Sequence, residues 1–153
     1  MKIDPIRIKQ YLAEIRKNSL ELNHPIDRNE LVPDTIPMKA AKYMLIELAE
    51  GMSNAIQHIL ARDKGVAVSG YIDAILKAYE NGLISELLFQ GLKPFFDFRN
   101  SLIHRYWTIN DSRLIDNVMK GRHDFDRFIE EIEAYLHISL HISNRQDDQD
   151  GKS

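Results

Sequence analysis

The sequence predicts an all-α protein, a bundle of five or six helices. Apolar residues recur at spacings of three and four in several long stretches, which is typical of amphipathic helices. No segment alternates apolar and polar residues as a strand does, and no segment repeats another. Proline and glycine separate the apolar stretches, so they mark the connections between helices.

The first predicted helix runs from about Asp4 to Asn23. Asp4 followed by Pro5 is a favourable helix start. Residues 24–37 contain three prolines and are predicted to form a connection. The apolar residues of the helix, at helical spacing, are Ile8, Tyr11, Leu12, Ile15 and Leu22.

The strongest periodic pattern lies between Met38 and Arg62 and predicts a second helix. Gly65 is a suitable stop just beyond it. A short helix is predicted over 69–79, ended by Asn81-Gly82. The apolar stripe of the second helix comprises Ala41, Met44, Leu45, Leu48, Met52, Ala55, Ile56, Ile59 and Leu60.

A further helix is predicted within residues 84–107, with Ser85 as its N-terminal cap. Gly91 and Pro94 lie inside this range. Because proline removes a backbone donor and crowds the preceding turn, we expect a kink or a break there.

Two more helices are predicted towards the end of the chain. The first is short and is capped by Asn110 or Asp111, and the second covers residues 124–142. Residues 144–153 are polar and acidic and are predicted to be disordered. We therefore expect one helical domain over residues 1–143, followed by a polar tail.

The composition is that of an ordinary globular protein, with 44% hydrophobic and 28% charged residues. The absence of cysteine excludes disulfides and thiolate metal sites, and it fits a reducing cytoplasm. The N-terminal segment has scattered charges and no apolar core, so it is not a signal peptide. No apolar run approaches the roughly 20 residues of a membrane span. We expect a cytoplasmic protein.

The charge of the chain argues against a protein that coats nucleic acid by bulk attraction. The formal net charge is −3 and the isoelectric point is near 6.1. Residues 82–127 contain seven Lys and Arg against six Asp and Glu, so this region carries +1 and the remainder −4. A local basic cleft is compatible with this distribution.

A cluster of polar groups stands out in the stretch FRNSLIHRYW, residues 98–107. Arg99 can brace a phosphate with a planar fork of donors, and His104 can exchange a proton near neutral pH. Together such groups can cleave RNA without a metal, because histidine can deprotonate a ribose 2′-OH or protonate the leaving oxygen, while arginine stabilises the charge on phosphorus oxygens. Asn100 could orient a phosphate oxygen or the imidazole, and Arg105 is a candidate for a further phosphate contact.

The spacing of these residues leaves the nature of the cluster open. On a helix of 3.6 residues per turn, Asn100 and His104 share a face, whereas Arg99 and His104 lie about 140° apart. Either the helix ends near residue 104, or the working residues come from two copies of the chain in a two-fold dimer. The same residue types also cap carbonyls at helix ends without any further function.

The motif resembles the signature of the HEPN superfamily, and more narrowly its HepT branch, in which arginine, four residues, histidine, one residue and tyrosine follow one another. Arg99, His104 and Tyr106 match these positions. Phenylalanine before the arginine and asparagine after it are also typical. The resemblance extends over residues 1 to about 142, since the 38–62 helix and the segments around the motif follow the same order.

The resemblance implies an all-helical dimer whose two motifs meet in a cleft, and a metal-independent endoribonuclease toxin that acts on tRNA or mRNA. It also implies a partner, an MntA-type minimal nucleotidyltransferase antitoxin that transfers AMP from ATP to the motif tyrosine. By this resemblance Arg99 and His104 are catalytic, Asn100 supports them and Tyr106 accepts AMP. No cofactor is expected for this chain.

Two alternatives remain open. The dimer could be a non-catalytic binding subunit of a nucleotidyltransferase, or a structural bundle whose polar helix end is incidental.

His137 and His141 lie four residues apart but lack an obvious third ligand, so no metal site is predicted. Carboxylates such as Glu47 and Glu50 are assigned to solvated helix faces.

Overall fold

The computed structural model describes residues 2–104 and 110–151, except for the side chains of 102–104, 140–144, 146, 147 and 150. The described residues form helices and no strand, so the predicted all-α bundle is confirmed. The elements are α1 (Pro5–Asp27), α2 (Ile36–Ile59), a short π-helix (Leu60–Lys64), α3 (Tyr71–Glu80), α4 (Glu86–His104), α5 (Asp111–Gly121) and α6 (Asp124–Asp150).

The starts of α1, α4 and α5 lie where the sequence predicts them, and each of these three is capped by a side chain. The Asp4 carboxylate accepts from the backbone N–H groups of Ile6 and Arg7 at 3.1 and 3.3 Å. Ser85 caps α4, since its Oγ accepts from the Leu88 N–H at 3.2 Å. Asn110, rather than Asp111, caps α5.

The stops predicted from glycine are also confirmed. Gly65 has a φ of 63° and ends the π-helix in the left-handed conformation. Gly82, two residues beyond α3, has a φ of 76°. Glycine adopts this region without a steric penalty, so both turns follow directly from the sequence.

The first helix is longer than predicted and includes Pro25, so the connection begins only after Asp27. Pro25 is buried and Ile26 is 4% exposed. Burial of these two side chains offsets the backbone hydrogen bond that proline cannot make. The Pro25 carbonyl also accepts from the Glu30 N–H at 2.9 Å, which fixes the exit from the helix.

The sequence predicts a kink or a break at Pro94, and the break is absent, because α4 continues as one helix through this residue. Phe95 and Phe96 beside it are 1% and 0% exposed, and the Phe95 and Phe125 rings lie 5.0 Å apart. Gly91 allows α6 to start close by, since a Cβ at this position would lie 2.2 Å from Asp124 Oδ2. Close packing therefore holds the helix together where the proline weakens it.

The last helix extends to Asp150, into the range 144–153 that is predicted to be a disordered tail. The residues beyond 143 are polar but include no strong helix breaker before Gly151. The division of the chain into a domain and a tail stays a prediction.

The core lies between α1, α2, α4 and α6, with α3 packed against α4 and α2. The pairing of α1 with α2 is the most extensive helix contact. Both α2 and α3 therefore touch α4, whose C-terminal end carries residues 98–104 of the polar stretch. Over the ranges that the structure describes, no helix is long and apolar enough to cross a membrane.

Candidate active site at the end of α4

Arg99 is the best-defined residue of the candidate site. It lies in α4, and its side chain is 16% exposed. Its Nη2 and Nε both donate to Oε1 of Glu50, at 2.9 and 3.3 Å. Glu50 belongs to α2, so the guanidinium is tied to a neighbouring helix.

The other neighbour of Arg99 is an aromatic ring. Its Cζ lies 4.6 Å from the centroid of the Tyr71 ring. This is a favourable position for a cation over an aromatic face. Tyr71 is the first residue of α3 and is partly buried. Arg99 is consequently held by two elements other than its own.

Asn100 follows Arg99 in α4 and is partly buried. His104 belongs to the same helix, and its side chain lies outside the described residues, as do Arg105 and Tyr106. The structure therefore brings Arg99 and Asn100 to the C-terminal part of α4. The predictions for the side chains of His104, Arg105 and Tyr106 therefore lie outside the described residues.

The surface beside Arg99 is acidic. A groove of about 300 Å³ between α1 and α2 includes Glu47 and Glu50. The Glu47 carboxylate accepts from the Tyr43 hydroxyl, and this bond and the carboxylate charge raise the pKa of Tyr43. The remaining lining residues are Glu14, Lys17, Asn18, Glu21, Gly51 and Asn54. Among the residues that the structure describes, this groove is acidic and does not form the basic cleft that the sequence allows.

Sequence reasoning missed the contacts of Glu50 and Tyr71 with Arg99. The sequence places Glu50 on a solvated face, and its side chain is 43% exposed, but the sequence does not show that this carboxylate pairs with the candidate catalytic arginine. The two partners are 49 positions apart in the chain. No local spacing joins residues on different helices, so only the packing of α2 against α4 reveals the pair.

The chain is also anchored directly after the motif. Asp111, at the start of α5, accepts from Lys42 Nζ at 2.6 Å and from the Asp34 N–H at 3.3 Å. The hydrogen bond from Lys42, followed by the one from Asp34, holds the pKa of Asp111 below its usual value. Lys42 and Glu50 both belong to α2. Helix α2 therefore contacts Arg99 before residues 105–109 and Asp111 after them.

Within the part of the chain that the structure describes, no three His, Asp or Glu side chains are grouped closely enough to hold a metal ion. The candidate site offers the Arg99 guanidinium, held by Glu50 and the Tyr71 ring, and the Asn100 amide next to it in the chain. His104 belongs to the same helix. These groups can bind a phosphate and exchange protons.

A family model described as Ribonuclease HepT-like matches residues 8–132. This range spans α2 to α5 and contains the whole motif from Arg99 to Tyr106. It also covers most of the chain, so the protein belongs to the HepT-like ribonuclease family, as the motif predicted. Among curated proteins, no sequence matches.

Several solved structures share the fold. A HEPN toxin of Shewanella oneidensis, solved in tri-AMPylated form in complex with an MNT antitoxin, has a TM-score of 0.73 and 22% identity over 84% of this chain and 97% of that chain. A mutant MntA-HpeT toxin–antitoxin has a TM-score of 0.71 and 21% identity over 84% of this chain and 98% of that chain. YutE of Bacillus subtilis, described as a cytosolic protein of unknown function, has a TM-score of 0.72 and 18% identity over 90% of this chain and 94% of that chain. At these identities the likeness shows the HEPN helical fold.

Proposed function

We propose that this protein is a metal-independent endoribonuclease and the toxin of a toxin–antitoxin pair, acting on tRNA or mRNA in the cytoplasm. The observation that carries the proposal is the complete motif Arg99–Tyr106 within the range matched by the HepT-like family. The fixed position of Arg99 between α2 and α3 supports it, because a phosphate-binding arginine acts best when its direction is set in advance.

The proposed reaction is an intramolecular transesterification of RNA. One His104 imidazole accepts the proton of a ribose 2′-OH, and the 2′-oxygen forms a bond to the adjacent phosphorus. The bond from phosphorus to the 5′-oxygen breaks, and that oxygen takes a proton from a second imidazole. The products are a 2′,3′-cyclic phosphate and a 5′-OH. Arg99 stabilises the negative charge on the phosphoryl oxygens, Asn100 orients a phosphate oxygen or the imidazole, and Arg105 contacts a further phosphate.

We place this reaction in the cleft of a homodimer. Arg99 and His104 lie five residues apart on α4, so their Cα–Cβ directions diverge by about 140° on one helix. A two-fold axis near this helix end would bring an arginine and a histidine from each copy to one cleft. One His104 would then act as the base and its partner as the acid.

The proposed control is AMP transfer to Tyr106 by an MntA-like minimal nucleotidyltransferase. The phenolic oxygen attacks the α-phosphorus of ATP, the phenolic proton is lost and pyrophosphate leaves. AMP adds negative charge and bulk two residues from His104, so an RNA phosphate is repelled and obstructed. The tri-AMPylated HEPN toxin and the MntA-HpeT pair among the structural neighbours support this proposal.

The proposed function is tested by growth of bacteria that express the chain with and without an MntA-like nucleotidyltransferase. We expect expression of the chain alone to stop growth, and co-expression of the nucleotidyltransferase to restore it. Arg99→Ala and His104→Ala should each be tolerated without the partner. Unimpaired growth with the wild-type chain alone would favour the non-catalytic binding subunit.

A further inference from the structure

We infer that Glu50 is a positioning residue for RNA cleavage, which sets the orientation of the Arg99 guanidinium together with the Tyr71 ring. This inference rests on the proposed function and extends it to two residues on α2 and α3. The motif contains neither of them. The contacts that carry the inference are the paired hydrogen bonds from Arg99 to Glu50 and the ring contact at 4.6 Å.

Glu50 binds only some of the N–H donors of the Arg99 guanidinium. Nε and Nη2 donate to the same oxygen, Oε1, so Glu50 engages one edge of the fork. Nη1 does not take part in this contact. A guanidinium has five N–H donors, and a phosphate needs two of them for a bidentate contact. The geometry therefore suits a brace on Arg99 that leaves donors for a phosphate.

The Tyr71 ring restricts the remaining freedom of Arg99. With one edge bound to Glu50 and one face over the ring, the plane of the guanidinium is defined. The side chain is 16% exposed, so little room is left for other rotamers. The side chain of an arginine held in this way already has its final orientation when the RNA binds. Fixing the orientation in advance lowers the activation free energy of the reaction.

The opposite role is that Glu50 occupies Arg99 in place of the phosphate and slows the reaction. The two roles predict opposite effects when the carboxylate is removed. Glu47 provides a matched control, because it lines the same groove on α2 and its carboxylate accepts from Tyr43, whereas Glu50 accepts from Arg99. A general effect of negative charge on RNA binding would appear in variants of both glutamates.

The experiment compares kcat and KM for cleavage of 5′-labelled bulk tRNA by the full chain and its variants. For Glu50→Ala we expect kcat to fall by about 100-fold with a small change in KM, since a misplaced catalytic group costs about this much. Glu50→Gln keeps an oxygen acceptor and should fall less. Glu47→Ala should stay within about twofold of wild type, as is usual for surface substitutions.

Tyr71 provides a second pair of variants. Tyr71→Leu removes the ring face and should lower kcat, whereas Tyr71→Phe keeps the ring and should lower it less. Thermal unfolding of each variant separates a loss of orientation from a loss of fold. If Glu50→Ala does not fold, Glu50→Gln and the Tyr71 pair decide the question.

A second readout follows Arg99 directly and requires no ribonuclease activity. In an NMR spectrum, the Arg99 Nε–H should be protected from exchange in wild type and in Glu47→Ala, and it should lose this protection in Glu50→Ala. Unchanged protection in Glu50→Ala, or a kcat that is equal to or above wild type, would overturn the inference. A wild-type chain that cleaves neither bulk tRNA nor mRNA while Arg99 remains protected would overturn the proposed function instead.

Discussion

At the scale of single residues, Arg99 is held between Glu50 of α2 and the Tyr71 ring of α3. The motif lies within a few residues of one helix, so its members can be recognised together by their local spacing. The contacts with Glu50 and Tyr71 depend on how α2 and α3 pack against α4, and no local pattern carries that information. The sequence therefore predicts which residues form the motif but not which residues hold the arginine.

The residue-scale prediction concerns Tyr106. After incubation with an MntA-like nucleotidyltransferase and ATP, the intact mass of the wild-type chain should rise by one or more AMP units. Tyr106→Phe should show no gain, because it lacks the phenolic oxygen that accepts the nucleotide. Tyr79→Phe is a control, since it removes the hydroxyl of a tyrosine outside the motif that is 36% exposed. An equal gain in Tyr106→Phe would place the modification elsewhere.

At the scale of elements, α2 is the helix that supports the candidate site. Glu50 contacts Arg99 before residues 105–109, and Lys42 contacts Asp111 after them. Helix starts such as those at Asp4 and Ser85 could be predicted, because caps are local. The continuation of helices through Pro25 and Pro94 could not, because burial of neighbouring side chains outweighs the intrinsic effect of proline.

The element-scale prediction concerns the ion pair between Lys42 and Asp111, whose side chains are 23% and 12% exposed. Asp111→Asn should lower the free energy of unfolding by about 1 kcal/mol at neutral pH. The folded-state pKa of Asp111 is lowered, so its stabilisation is present above the usual value of 3.8 and is lost as pH falls below that value. Urea unfolding should therefore show a difference between wild type and Asp111→Asn that shrinks in acid.

A second ion pair provides the control for this measurement. Arg122 and Asp27 are 2.7 Å apart, but Asp27 is 62% exposed. Exposed pairs contribute little, so Asp27→Asn should leave stability almost unchanged at every pH. An Asp111→Asn difference that is absent at neutral pH, or that grows in acid, would contradict the proposed anchoring of α5.

For the whole molecule, the sequence predicts the fold class from amphipathic periodicity, and it predicts the family from the motif together with the order of the helices around it. The oligomeric state is not predicted by these patterns. The dimer is a proposal based on the directions of Arg99 and His104 along α4, and no pattern within one chain defines the surface through which two copies meet.

The prediction at this scale uses a mixed dimer. Wild-type and His104→Ala chains with different tags are co-expressed, and the species carrying both tags is isolated. If one histidine acts as base and the other as acid, the mixed dimer should lose activity by about 100-fold or more, as expected for loss of a general acid or base. Two independent sites would instead leave about half of the activity.

The most direct test of the ribonuclease assignment is cleavage of bulk tRNA by the purified wild-type chain in excess EDTA, with analysis of the product ends. We predict cleavage that EDTA does not inhibit, with 2′,3′-cyclic phosphate and 5′-OH ends, and its loss in Arg99→Ala and His104→Ala. Activity that disappears with EDTA, or that His104→Ala retains, would contradict the proposed mechanism.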